Sequence, residues 1–199
     1  MHDESYFQFL QRHTSALSMA LGFRHRQTHL HSTRVARRAV ALGARCGMAP
    51  RDLSILRVAA GVHDIGKIGI PDSILAKRTP LTDDDWHAIR GHPAMGAELL
   101  LAGAFEGARE LAAIVRHHHE HVDGSGYPDG LRGEAIPLGA RIVSIVDAYD
   151  AMDEVRPYHC RRRHEEIMAI LGSEAGSRRD PELLREFRAI AETPDPDTD

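Results

Sequence analysis

Two cysteines among 199 residues, Cys46 and Cys160, cannot build a disulfide framework, and neither belongs to a CxxC pair. Thiolate zinc-finger chemistry is thereby excluded, and a metal in this chain would have to be held by imidazole and carboxylate. No apolar run approaches the roughly 20 residues that span a bilayer, and the sequence opens on no signal-peptide pattern. A cytoplasmic, reducing setting without a membrane partner is expected. No segment alternates convincingly with period two and no internal repeat recurs, so the signature of a sheet protein is missing. Net charge is scarce too: 25 Lys and Arg against 29 Asp and Glu leave −4, a balance that argues against a general nucleic-acid or membrane-surface binder. Histidine, by contrast, is abundant, with 14 copies.

A composition 42% hydrophobic and 27% charged fits one globular domain over residues 1–190, with a disordered polar tail at 191–199. The apolar residues recur at helical spacing. Tyr6, Phe7, Leu10, Thr14, Leu17 and Leu21 predict a helix ending near Gly22, with a polar link to His29; Val35, Ala39, Leu42 and Cys46 predict a second over 32–46. The arginines at 34, 37, 38 and 45 then fall on a solvated face. Pro50 opens a helix that carries His63 and Asp64 at its C-terminal end. Another is entered through Thr82, where Asp85 completes a capping box, and Trp86 is expected to anchor it in the core. Further helices are predicted over 105–119, 138–152 and 165–171. ARIVSIVDAYD (140–150) is rich in β-branched residues, yet its apolar spacing is helical. The expected class is all-α.

His63-Asp64 at a helix end is the strongest chemical feature. Adjacent helical residues diverge by about 100°, but at a loosening helix end an imidazole and a carboxylate can serve the same metal centre. His31, His63, Asp64, His92, His118, His119 and Asp147 lie on separate predicted helices, which is how bundles assemble multinuclear sites. Nitrogen and oxygen donors without thiolate suit iron, manganese, cobalt or zinc and do not choose among them. The glycines of DGSGYPDG (123–130) permit turns that would either present Tyr127 to a substrate or simply close a surface loop. His117 is expected to be exposed or packing, His121 to carry no function, and His13, His29, His87 and His164 to lie on solvated faces. The RVARR and CRRRH clusters read as surface charge.

HDIGKIGIP (63–71), HHEHVDGSGYPDGLRGEAIP (118–137), ARIVSIVDAYDAM (140–152) and RPY (156–158) together resemble the HD-GYP family of bacterial cyclic di-GMP phosphodiesterases, over roughly residues 15–190. The resemblance implies an HD-type helical bundle with a metal centre in its core, and hydrolysis of cyclic di-GMP by water acidified between two metal ions, with linear pGpG or GMP as the final product. It implies that His31, His63, Asp64 and Asp147 bind one ion, that Asp64 bridges to a second held by His92 and His118, and that His119 serves the second or a third. Iron or manganese is the usual metal, with zinc, cobalt and nickel as alternatives. Lys67 would meet the phosphate, Tyr127 and Arg156 the substrate, and Asp150 would support a ligand histidine or Lys67 from behind. A diguanylate cyclase or another signalling protein is the implied protein partner.

The departures bear on the same reading. Gln27 stands where trinuclear members carry glutamate, which favours two metals over three, and His25 stands where many have aspartate. His159 and Cys160 replace an Arg-Lys pair after RPY, its charge displaced to Arg161, Arg162 and Arg163. These changes keep open an alternative: a weakly active nucleotide-sensing or protein-interaction module. No attached receiver or sensor segment is evident.

Overall fold

A computed structural model describes residues 3–24, 26–153 and 162–191, with the side chains at 3, 26, 27 and 29 outside that description. Its elements are helices α1 (Asp3–Arg24), α2 (Arg26–Arg45), α3 (Pro50–Val62), α4 (Asp72–Leu75), α5 (Asp83–Arg90), α6 (His92–Ala102), α7 (Ala108–His117), α8 (Leu138–Asp153), α9 (His164–Ser173) and α10 (Pro181–Ala191). A 3-10 turn over Ile65–Gly69 follows α3, and a shorter one over Gly133–Ala135 precedes α8. Among the described residues there is no strand, only isolated bridges such as Asp123 with Arg132. The all-α class is observed.

Helix α3 is the axis of the bundle. Ile55, Leu56, Val58, Ala59, Ala60 and Val62 are all buried, because α1, α2 and α7 close around it. Helix α8 packs on α2 and α7 and buries Ile142, Val143, Ile145 and Val146, so the β-branched run is helical, as its spacing predicts. Burial of an apolar stripe outweighs the modest strand preference of Val and Ile. No described helix is long and apolar enough to cross a membrane.

Several expectations are corrected. The first helix does not end near Gly22 but runs to Arg24, and α2 begins at Arg26. Arg24 holds the helix end in place by donating to the Ile68 and Ile70 carbonyls and to Asp72. The segment after Thr82 is two helices, since Pro93 has no N–H and the chain turns at Gly91 before α6. Thr82 and Asp85 do form the reciprocal cap. Trp86 is not a core anchor: α5 buries no residue fully, and the indole is 48% exposed. Helix α7 starts at Ala108 after Gly107 turns the chain at φ 88°, later than the expected start at 105. Helix α10 was not anticipated, although Asp180 caps it by accepting from the Glu182 and Leu183 amides.

Candidate metal centre

Three of the five histidines of this site are placed by the leftover carbonyls of helix ends. The last turn of a helix leaves its C=O groups without intrahelical donors. His63 Nδ1 takes the Ala60 carbonyl at the end of α3 (2.7 Å), His92 Nδ1 that of Ile89 at the end of α5 (2.8 Å), and His118 Nδ1 that of Val115 at the end of α7 (2.7 Å). All three are buried. Each is an i to i−3 contact, and each turns the opposite nitrogen, Nε2, toward the bundle interior.

There the Nε2 atoms meet one another and the carboxylates. His92 Nε2 lies 3.4 Å from His118 Nε2 and 3.3 Å from Asp64 Oδ1. His63 Nε2 lies 3.6 Å from Asp64 Oδ2 and 3.7 Å from Asp147 Oδ1. His31, on α2, bonds Asp147 through Nε2 (2.9 Å) and Asp150 through Nδ1 (2.7 Å). His119 packs its ring on His118 and His92. The ligand atoms of His92, His118 and His119 fall within 4.8 Å of one another, as do those of His31, His63 and Asp64. Five segments far apart in sequence thus deliver all seven expected ligand side chains to one place.

The electrostatics match a cation site. Burial holds the His92 and His118 imidazoles neutral by lowering their pKa, and holds His119 down at about 3. Burial opposes ionisation of Asp64, but Lys67, His63 and His92 override it and keep the carboxylate charged. Asp147 is likewise charged, through His31 and His63. Burial would discharge His31, yet Asp147 and Asp150 raise it to about 10.

A divalent ion fits these residues on two observations. With Nδ1 of His92 and of His118 each donating to a carbonyl, neither neutral ring has a proton for the 3.4 Å contact between their Nε2 atoms, so two lone pairs face each other. His63 Nε2 is buried and without a hydrogen-bond partner. Facing lone pairs and an orphaned nitrogen beside carboxylates are what a bound cation would satisfy.

Around this cluster stand the other expected residues. Lys67 Nζ is 2.6 Å from Asp64 Oδ2, with 29% of its side chain exposed. Tyr127 stacks on His119, ring centroids 4.9 Å apart, and the Arg90 guanidinium lies over the Tyr127 ring, 5.6 Å from its centroid. Burial and then Asp147 push the Tyr127 hydroxyl up to about 12, so it remains a hydrogen-bond donor at neutral pH. Asp150 supports His31, not Lys67. Arg156, like His25, His159, Cys160 and Arg161, lies outside the described residues, as does the Gln27 side chain.

Three features were not anticipated from sequence. Arg34 donates to Asp150 (2.8 Å) and Arg38 joins it, so this part of the α2 arginine stripe is not a solvated face but the grip on a carboxylate only 1% exposed. Buried Glu120 accepts from the amides of Asp129, Gly130 and Leu131 (2.7, 3.1 and 3.1 Å) and so fastens the loop that carries Tyr127. His117 turns away from the cluster, as expected, but to bond Asp129, together with Arg116. Only the adjacency of Glu120 to His118-His119 hinted at its role.

The HD domain family model matches residues 15–183. The cyclic di-GMP phosphodiesterase response regulator RpfG of Xanthomonas campestris pv. campestris is 40% identical over 170 residues, which are 85% of this chain and 45% of RpfG. A Vibrio cholerae 3'3'-cGAMP-specific phosphodiesterase 2 is 36% identical over 171 residues, 84% of this chain and 32% of that protein. The chain therefore spans less than half the length of these two relatives. Among solved structures, Bd1817, an HDG"Y"P protein from Bdellovibrio bacteriovorus, superposes with a TM-score of 0.71 at 20% identity, covering 96% of this chain and 62% of that one; at that identity the likeness speaks for the fold. With His63-Asp64 ending α3 and Gly126-Tyr127-Pro128 in the loop beside it, the chain belongs to the HD-domain family and carries both halves of the HD-GYP signature.

Proposed function

We propose that this chain is a metal-dependent phosphodiesterase that opens cyclic di-GMP to linear pGpG, with two ions, iron or manganese, held by His31, His63, Asp64, His92, His118, His119 and Asp147. The observation that carries the proposal is the convergence of buried Nε2 atoms, two of them lone pair to lone pair, on Asp64 and Asp147. The two relatives named for cyclic-dinucleotide hydrolysis support the substrate class. Two divalent ions supply Lewis acidity toward phosphoryl oxygens and lower the pKa of bound water toward neutrality.

The chain's own groups do the rest. Lys67, already beside Asp64, offers its ammonium to a non-bridging phosphate oxygen, where charge develops. Tyr127 donates its hydroxyl or lends its ring from the loop that Glu120 fastens. Arg156 is assigned to the substrate, as a bidentate donor. Asp150, gripped by Arg34 and Arg38, fixes the orientation of the His31 ring. No protein nucleophile is needed. A single domain over residues 1–190 in the cytoplasm, with a cyclase or other signalling protein as partner, is the setting this reading carries.

Purified protein loaded anaerobically with iron or manganese should convert cyclic di-GMP to pGpG, followed by chromatography, and D64A should abolish it. Folded protein holding two metals per chain, but giving no product with either, would overturn the proposal.

A further inference from the structure

Helix α5 presents a stripe that the metal centre does not use. Asp83, Trp86, His87 and Arg90 sit at i, i+3, i+4 and i+7, which places them on one helical face, and all four are exposed. They border a shallow, open surface depression of about 360 Å³. The opposite face is engaged, with Asp85 tied to Lys77 and Ala88 and Ile89 half-buried. Trp86 is therefore a large aromatic surface that the short α5, packed on α6, leaves to solvent.

This face adjoins the proposed active site through Arg90. Its guanidinium lies 5.6 Å from the centre of the Tyr127 ring, and Tyr127 stacks on His119 at 4.9 Å. Arg90, one helical turn beyond Trp86 on this face, thus connects the stripe through Tyr127 to a candidate metal ligand.

We propose that Asp83, Trp86 and Arg90 form a guanine-binding subsite: the base of a cyclic dinucleotide whose phosphodiester lies at the metal cluster stacks on the Trp86 indole. This rests on the reading of the chain as a cyclic-dinucleotide phosphodiesterase. The polar ends of the stripe match guanine. Asp83 and Arg90 are seven residues apart, about 10 Å along the helix axis at 1.5 Å per residue, with Trp86 between them. Guanine offers N1–H and N2–H donors on one edge, which a carboxylate accepts, and the O6 and N7 acceptors on another, which a guanidinium fills. Adenine has no pair of donors for Asp83. Base stacking on an aromatic side chain tolerates any base, so Trp86 supplies affinity and Asp83 supplies the choice.

Trp86 is the only tryptophan, so its fluorescence reports this face alone. In manganese-loaded protein, added cyclic di-GMP should quench the indole emission in a saturable way. W86A should lower kcat/KM for cyclic di-GMP relative to that for bis(p-nitrophenyl) phosphate, a diester without purine, by about tenfold, mainly through KM; W86F should recover most of the loss. D83A should erode the preference for cyclic di-GMP over cyclic di-AMP. Turnover of cyclic di-GMP with unaltered emission and an unaltered ratio in W86A overturns the subsite and leaves the reaction standing. Saturable quenching without product overturns the reaction and supports the subsite. Emission that follows protein concentration and not nucleotide assigns the face to a contact between copies of the chain, against the proposal.

Discussion

Glu120 shows how much one buried carboxylate can organise. Its side chain collects three loop amides from the return arm after Pro128, and these have no other described acceptor. Replacing it by alanine removes three hydrogen bonds in a partly exposed loop, each worth roughly 0.5–1.5 kcal/mol net. E120A is therefore expected to lower stability by about 2 kcal/mol or more, measured by urea unfolding, with faster amide exchange at residues 129–131. Most of the side chains that gather at the cluster are legible in the sequence because their chemistry is local: His63 beside Asp64 and His118 beside His119, each pair at a helix end. Glu120 is not, because nothing in HHEH says which backbone the acid will meet nine to eleven residues later. Arg34 and Arg38 read as solvated because helical periodicity cannot show a carboxylate 112 to 116 residues away. For Trp86, indole size alone favours burial, while α5 is too short to bring it to the core.

At the scale of elements, the 3-10 turn after α3 and the start of α6 are locked by a glycine. A Cβ on Gly66 would stand 1.9 Å from the His92 carbonyl oxygen and 2.7 Å from the Gly96 nitrogen. These are backbone atoms, so no side chain can give way. G66A should cost about 1–3 kcal/mol by the usual scale of overpacking and should weaken metal uptake, since the strain falls on the turn that holds His92; thermal melts and metal titration check it. The loop between α7 and α8 has a pH signature instead. The Arg116 guanidinium, then His117, holds Asp129 down at about 2. An unfolded aspartate titrates near 3.9, so the stabilisation is fully present above about pH 4 and is lost as pH falls toward 2. Amide exchange of the loop, corrected for intrinsic rates, should be level from neutrality to that point and accelerate below it, and D129N should remove the acid step. Helix existence was read from periodicity almost throughout. The breaks were harder, because the run through Gly22 is continued by distant anchors of Arg24 and the run through Gly91 is stopped by Pro93. Asp180-Pro181 before Leu183, Leu184 and Phe187 is an ordinary start signal, so α10 was open to the same reading.

Across the whole molecule, the cluster draws on α2, α3, α6, α7 and α8 or their ends, so a cation there would bind the bundle's halves together. Ligand present at a hundredfold its Kd stabilises by about 2.7 kcal/mol. For a chain of this size that corresponds to a rise in Tm of roughly 5–10 °C. Chelator-treated protein should melt lower than manganese-loaded protein by that margin, and H118A should shrink the gap; equal melting temperatures would count against a site of this kind. The helix-end carbonyls that hold Nδ1 of His92 and His118 have a further consequence, in proton stoichiometry. Those two rings, and His119, have no proton to surrender, while His31 is held protonated and His63 is pushed the same way by Asp64 and Asp147 against its burial. The five imidazoles should then contribute only about one to two protons per chain to metal uptake near neutral pH, besides any proton lost by metal-bound water. Calorimetry in buffers of different ionisation enthalpy counts them directly, and so reads how far folding alone has prepared the pocket for its charge.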